Sequence, residues 1–262
     1  MIFSLFSFII PSIIFPYIFS LREAYRAFKT KKASATDLVE LLKIPKISDK
    51  EIKNVIIKYS EDKKDVFFVQ IGSNDGKTGD PIYEIVSISS KWKGILVEPI
   101  PLLYERLIKN YSMRSGLIFE QSVISDKAKT VDFYVVNPAA QEVFDLPWYY
   151  DQISSLSQEH IIKHFGEKIT PYIKKEKLQA LSFNDLLAKH DYESQKIDFL
   201  HIDVEGYDYQ VARQISLKQC PPQMLLIEFR HLKYHDCLKL IKKFSPNYHM
   251  YSNNSDLFFV LK

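Results

Sequence analysis

Two short stretches of this chain place reactive residue types where a ligand would meet the backbone. Gly72-Ser73-Asn74-Asp75-Gly76 follows the apolar run Val66–Ile71, and Glu98 closes a second run, Gly94-Ile95-Leu96-Val97, about 22 residues past Gly76. A turn rich in residues that tolerate unusual backbone angles, set between a strand and a helix, lets the backbone approach a ligand closely. An acid about 20 residues further on is placed to accept hydrogen bonds from ribose hydroxyls. A carboxylate suits that task because it accepts from two vicinal hydroxyls at once. Taken singly, the turn reads as an ordinary tight turn and Glu98 as a solvated charge at a strand end. Taken jointly, they read as a nucleoside site. The spacing is not the G-x-G-x-x-G that rests a pyrophosphate on a helix N-terminus. Asp75 would repel a pyrophosphate but can bind an amino group, which favours S-adenosylmethionine over NAD.

A second set of candidates ends two later apolar runs. Asp203-Val204-Glu205-Gly206-Tyr207-Asp208 stands at the end of the run that begins at Ile197, and Glu228 and His231 lie at the end of Met224–Glu228. Strand alternation puts His201 and Asp203 on one side, with Glu205 in the turn beyond. Carboxylates there could serve as a general base, bind the cofactor or substrate, hold a metal, or cap the next helix. Asp203-x-Glu205 also matches the metal-binding pattern of nucleotide-sugar glycosyltransferases. His231, with an ordinary pKa of about 6.5, could accept a hydroxyl proton. His160 and His164 lie one helical turn apart and could form a metal face, but no third ligand stands at a fixed spacing, so no metal is expected. Trp148-Tyr149-Tyr150 with Gln152–Ser155 reads equally as an acceptor pocket or as the core of a loop.

The elements around these residues alternate. Strands are expected at Val66–Ile71, Gly94–Glu98, Leu117–Gln121, Val131–Val136, Ile197–Asp203, Met224–Glu228, Tyr248–Tyr251 and Leu257–Leu261. Helical patterns fall at 80–91, Leu102–Tyr111, 157–165, 182–190, 207–215 and 233–243. Two short helices are expected within 34–64, the second opened by the capping box Ser48-x-x-Glu51. Asn253-Asn254 is hairpin chemistry. Strands alternating with helices imply a mostly parallel sheet covered on both faces, with ligands at the carboxyl ends of its strands. The terminal hairpin adds an antiparallel strand.

In order and spacing, Phe68-Val69-Gln70-Ile71-Gly72-Ser73-Asn74-Asp75-Gly76, Val97-Glu98-Pro99, Ser122-Val123-Ile124-Ser125-Asp126 and Ile197 through Gly206 resemble the FkbM family of methyltransferases. The resemblance spans about residues 66–260. It implies an α/β, Rossmann-like class I methyltransferase fold with a seven-stranded sheet, methylating a hydroxyl of a small molecule or glycan with S-adenosylmethionine. Gly72, Asn74, Gly76 and Glu98 match its cofactor-binding positions, and Ser122 or its neighbours would border the adenine. Residues 1–60 lie outside the resemblance, and so does the acceptor.

The remaining chain sets the context. Residues 1–21 hold fifteen apolar residues, four serines, two prolines and no charge. As a helix this stretch would be about 30 Å long, close to the hydrocarbon thickness of a bilayer. Arg22, Arg26, Lys29, Lys31 and Lys32 follow it against the single acid Glu23, so the positive-inside rule leaves the body of the protein cytoplasmic. The expected organisation is a membrane segment at 1–21, a basic and helical lead-in at 22–64, and a methyltransferase domain at 65–262. Composition agrees with a folded enzyme: of 262 residues, 46% are hydrophobic and 26% charged. A net charge of +3 is too small to point to nucleic acid. Cys220 and Cys237 match no metal spacing and read as inert thiols. Two rivals to the methyltransferase reading are a metal-dependent glycosyltransferase using Asp203 and Glu205, and a non-catalytic membrane-attached module.

Overall fold

The computed structural model describes residues 34–126, 130–147, 149–218 and 220–262. The hydrophobic segment 1–21 and the basic cluster that follows it lie outside the described residues, as does Trp148. Among the described residues, no helix is long and apolar enough to cross a membrane.

Helix α1 (Ala35–Leu41) and helix α2 (Asp49–Ser60) lead into strand β1 (Val66–Ile71). Ser48 and Glu51 form the expected reciprocal capping box at the start of α2. Then follow α3 (Tyr83–Val86), β2 (Trp92–Val97), α4 (Pro101–Asn110), β3 (Leu117–Glu120), β4 (Val123–Ile124) and β5 (Thr130–Val136). After 3-10 turns and α5 (Gln158–Phe165) come β6 (Ile173–Leu181), α6 (Phe183–Lys189), β7 (Phe199–Ile202), α7 (Asp208–Ala212), β8 (Met224–Glu228), α8 (Tyr234–Phe244), β9 (Tyr248–Ser252) and β10 (Asp256–Leu261).

Seven strands form one sheet in the order β3-β2-β1-β7-β8-β10-β9. The first five run parallel, while β10 is antiparallel to both β8 and β9. The turn between β9 and β10 is closed by Asn253, whose Oδ1 accepts from the Ser255 and Asp256 amides. Strand alternation sorts the side chains into two cores. Phe67, Val69, Ile71, Leu200, Ile202, Leu225 and Ile227 pack under α1, α6, α7 and α8. Val66, Phe68, Leu96, Phe199 and Leu226 pack under α2, α3 and α4. The same alternation carries Gln70, His201 and Glu228 onto the α2 face, where apolar packing gives way to polar groups.

Several features depart from the sequence reading, among them the short strand β4 and the shortening of the expected Ile197–Asp203 strand to Phe199–Ile202. The helical pattern at 80–91 shortens to Tyr83–Val86, and Asp80 just ahead of it accepts from the Ile82 and Tyr83 amides. The expected 207–215 helix is likewise only Asp208–Ala212. Strand β6, Ile-Lys-Lys-Glu-Lys-Leu-Gln-Ala-Leu, was not anticipated. Its charges hide its period, and it is a strand because β5 pairs antiparallel with it along seven residues and β4 pairs parallel at its end. This three-stranded sheet, and the segment from Asn137 to Tyr172 with its own small core, rise beside the carboxyl ends of β1, β2 and β7.

Candidate functional site

The main chain leaves β1 by a sharp turn. The amides of Gly72 and Ser73 both donate to the Val97 carbonyl, at 3.0 and 2.9 Å, locking the turn to the end of β2. Gly72 has φ +82°, and a Cβ there would stand 1.6 Å from the carbonyl oxygen of Asp203. The glycine is therefore demanded by the β7 loop passing across it, not by a ligand alone. Gly76 is similar: at φ +67° its Cβ would lie 2.3 Å from Leu107 of α4. Asn74, in the left-handed region at φ +50°, donates its amide to Glu98 Oε2 at 2.9 Å. The Ile100 amide donates to Glu98 Oε1, also at 2.9 Å. Glu98 is thus held by both oxygens, and its burial pushes the carboxyl up to about 7 against the lowering effect of the two amides.

These residues border a narrow cleft of about 540 Å³ including its open mouth. Gly72, Asn74, Glu98 and Ser122 line it together with Asp203, Glu205 and Tyr207, and Val123, Phe133 and Leu156 of the added layer supply its apolar wall. Three other residues expected to bind the cofactor do not line it. Ser73 is buried and donates from its hydroxyl to the Gln70 carbonyl. Gly76 faces α4. Asp75 spends its carboxylate on the Lys77 and Thr78 amides and the Thr78 hydroxyl, which corrects its expected role of binding an amino group. The acidity assigned to Asp75 is supplied by Glu98, Asp203 and Glu205. Among the described residues lining the cleft there is no lysine, arginine or histidine.

The four candidate catalytic residues converge from two strand ends, though not as a single group. Asp203, Asp208 and Glu228 each bring a carboxylate oxygen within 4.8 Å of the others. Burial, then the charges of Glu205, Asp208, Asp256 and Glu98, hold the Asp203 carboxyl well above its ordinary range. Glu228 is raised by burial and by Asp203. Asp208 is fully buried and also raised, although it accepts from the Val204 and Gly206 amides and so fastens the loop. Glu205, at φ +53°, joins another group: its Oε2 lies 2.9 Å from His160 Nε2 and 3.7 Å from His231 Nε2. Asp203 and Glu205 therefore belong to different clusters, which removes the paired metal site that the glycosyltransferase reading needs. His231 also stands 3.4 Å from Glu228, and burial depresses it to about 4.

His201 is buried against Gln70 and neutral, depressed to about 4 by burial. It borders a second, acidic cavity on the α2 face, reached also by Asp80, Asp203, Glu228 and Asp256. Tyr150 belongs to the small apolar core of the 137–172 segment, whereas Gln152 and Ser154 line the cleft. Cys220 and Cys237 are both free, and burial pushes the Cys237 thiol up to about 12. Sequence reasoning included Asp208 in the strand-end motif but gave it no role of its own, its signal being only its place six residues past the end of β7. It also set aside His160 and His164 for want of a third ligand, and the fold brings both against Glu205 and His231.

A parallel sheet of this order, closed by an antiparallel hairpin and bearing its cleft at the carboxyl ends of β1, β2 and β7, is the class I methyltransferase fold. Residues 70–256 match the methyltransferase FkbM domain, and the chain belongs to that family. Among solved structures it is similar to the N-methyltransferase NodS from Bradyrhizobium japonicum WM9, at 7% identity and TM-score 0.38, over 81% of this chain and 94% of that one. It is similar also to a methyltransferase from Geobacter sulfurreducens, at 10% identity and TM-score 0.36, over 100% and 96% of the two chains. A fibrillarin pre-rRNA processing protein from Methanococcus jannaschii shows 12% identity and TM-score 0.36, over 76% of this chain and 67% of its own. No curated protein matches the chain closely enough to count as a relative.

Proposed function

We propose that the chain is an S-adenosylmethionine-dependent methyltransferase acting on a hydroxyl of a glycan, a lipid-linked sugar or another small molecule. The observation that carries this reading is the lining of the cleft. Glu98, Asp203 and Glu205 line it without a basic side chain, so a cationic cofactor would draw the raised carboxyls into their ionised form, whereas the diphosphate of NAD or a nucleotide sugar would meet no counter-charge. Glu98, held in place by two amides, keeps lone pairs for a vicinal diol such as that of a ribose. Ser122, Val123 and Phe133 offer the flat apolar edge that an adenine needs.

Bound there, S-adenosylmethionine supplies an electrophilic methyl group on a sulfonium. The protein's share is to position the acceptor oxygen in line and to take up its proton. Asp203 is placed for that proton: the residue borders the cleft, and the raised affinity of its carboxyl for a proton makes it a stronger base once a nearby cation has ionised it. Glu228 lies behind it as a proton partner. Calorimetric titration of the full chain with S-adenosylmethionine, NAD and a set of nucleotide sugars tests the reading. Binding of S-adenosylmethionine alone is expected, and preferential binding of either diphosphate ligand would overturn it.

The same reading places the enzyme at a membrane, its domain on the cytoplasmic side, through residues 1–21 and the basic residues that follow. That location suits a lipid-linked acceptor. Full-length protein should sediment with membranes and stay there in high salt if the segment spans, or be released if the basic patch alone attaches it. Recovery wholly in the soluble fraction would sink the attachment.

A further inference from the structure

We propose that His160, His164, Glu205 and His231 form a binding site for one divalent first-row transition metal ion, Zn²⁺ in the first instance, at the rim of the cleft. The two histidines of α5 are four residues apart and so stand one above the other on a single helical face, with ring centroids 4.5 Å apart. His231, just beyond β8, closes against both, its ring 5.0 Å from that of His160 and 4.9 Å from that of His164. Glu205 reaches in from the loop after β7, with Oε2 2.9 Å from His160 Nε2 and 3.7 Å from His231 Nε2. One ligating atom from each of the four lies within 4.8 Å of all the others. Donors at about 2.1 Å from a tetrahedral Zn²⁺ are about 3.4 Å apart, so side-chain adjustment of roughly an ångström completes the shell.

The donor set selects the ion. Three imidazoles and one carboxylate suit Zn²⁺ and its first-row neighbours, whereas Mg²⁺ and Ca²⁺ require oxygen shells. Surrounding contacts prepare the ligands. The His164 Nδ1 lies 3.1 Å from the His160 carbonyl, which leaves its Nε2 for an ion, and the Ser155 hydroxyl donates to the Glu205 carbonyl at 3.2 Å. Gly206, at φ +90°, lets the loop lie against His231: a Cβ there would be 3.3 Å from the His231 carbonyl.

Four protein ligands make a closed shell, the arrangement of a structural ion. The ligands come from three separate segments, α5, the β7 loop and the end of β8, so the ion ties the 137–172 layer to the sheet. Glu205 also lines the cleft, and the ion thereby fixes the wall that faces the acceptor. This last consequence rests on the methyltransferase reading; the metal site itself does not.

The test uses untagged full-length chain, stripped with a chelator and then titrated calorimetrically with Zn²⁺, with Co²⁺ as a spectroscopic probe. One Zn²⁺ per chain, a tetrahedral Co²⁺ absorption spectrum and a higher melting temperature with Zn²⁺ are expected. The double variant His160→Ala, His164→Ala should bind Zn²⁺ at least about a hundredfold more weakly while keeping its affinity for S-adenosylmethionine. Absence of Zn²⁺ binding by the wild-type chain, or unchanged binding by the double variant, would overturn the site. Because S-adenosylmethionine affinity is measured separately, its loss with Zn²⁺ binding intact would count against the cofactor reading alone.

Discussion

The turn after β1 and the strand ends of β7 and β8 are both rich in carboxylates, yet they treat them in opposite ways. Around Glu98 and Asp75 each carboxylate is met by backbone amides from its own neighbourhood: Asn74 and Ile100 for one, Lys77 and Thr78 for the other. Around Asp203 and Glu228 the carboxyls face one another, and a buried oxygen of Glu228 has no hydrogen-bond partner. The first region is built and complete. The second carries electrostatic tension that a bound cation would relieve. Preformed amide cradles give binding geometry, while crowded acids give proton affinity, and a group-transfer site needs both.

The contrast can be broken most severely at Gly72. Gly72→Val puts a branched side chain onto the Asp203 carbonyl and into a left-handed backbone, so it should cost roughly 3 kcal/mol or more of stability. Urea denaturation would show it, and a variant as stable as wild type would mean that the turn and the β7 loop are not in contact. Asp203→Asn comes next. It should leave the fold intact and relieve repulsion, weaken S-adenosylmethionine binding only slightly because Glu98 and Glu205 remain, and lower methyl transfer about a hundredfold. Radiolabelled methyl transfer into glycan and lipid-linked acceptor fractions is the measurement, and a wild-type rate would move the proton-accepting role off this residue.

Glu98→Ala removes charge-assisted hydrogen bonds and strands two amides, so affinity for S-adenosylmethionine should weaken by about 1.5–3 kcal/mol, read by calorimetry. Unchanged affinity would detach the cofactor from this cradle.

The smallest effect is in pH. A carboxyl raised to about 7 in the fold stabilises below its unfolded value, and that contribution is lost as pH rises through the folded value. His201 and His231, depressed to about 4, act in the opposite direction but only below about pH 6.5. Between pH 6.5 and 8.5 the melting temperature should therefore fall by a few degrees. Cofactor binding near pH 7 should release protons, visible as a binding heat that varies with the buffer's ionisation enthalpy. A flat melting profile with buffer-independent heats would show that these acids are already ionised.

Much of the fold was legible because its signals are local. Val66-Phe67-Phe68-Val69-Gln70-Ile71 reads as a buried strand from its own composition, Ser48-x-x-Glu51 as a cap, and Asn253-Asn254 as a hairpin turn. The spacing from Gly76 to Glu98 needs only one strand-to-strand crossover, and the structure puts Gly72, Asn74 and Glu98 on one cleft. The reasons assigned to individual residues travelled less well. Gly72 was expected to make room for a ligand and makes room for Asp203 first; Asp75 was expected in the site and caps a turn beside it.

What the sequence determined by itself is the alternation of strands and helices, the faces of each strand, and the placing of acids and glycines at strand ends. Those follow from periodicity and backbone preference, which act over a few residues. Only the tertiary structure decided that the charged segment Ile173–Leu181 is a strand, since its pairing with β5 depends on a distant partner and not on its own pattern. It alone decided that Asp203 and Glu205, two residues apart, join different clusters, and that His160, His164 and His231 meet. Side chains from separate loops converge through packing and register, and no local spacing records where they will meet.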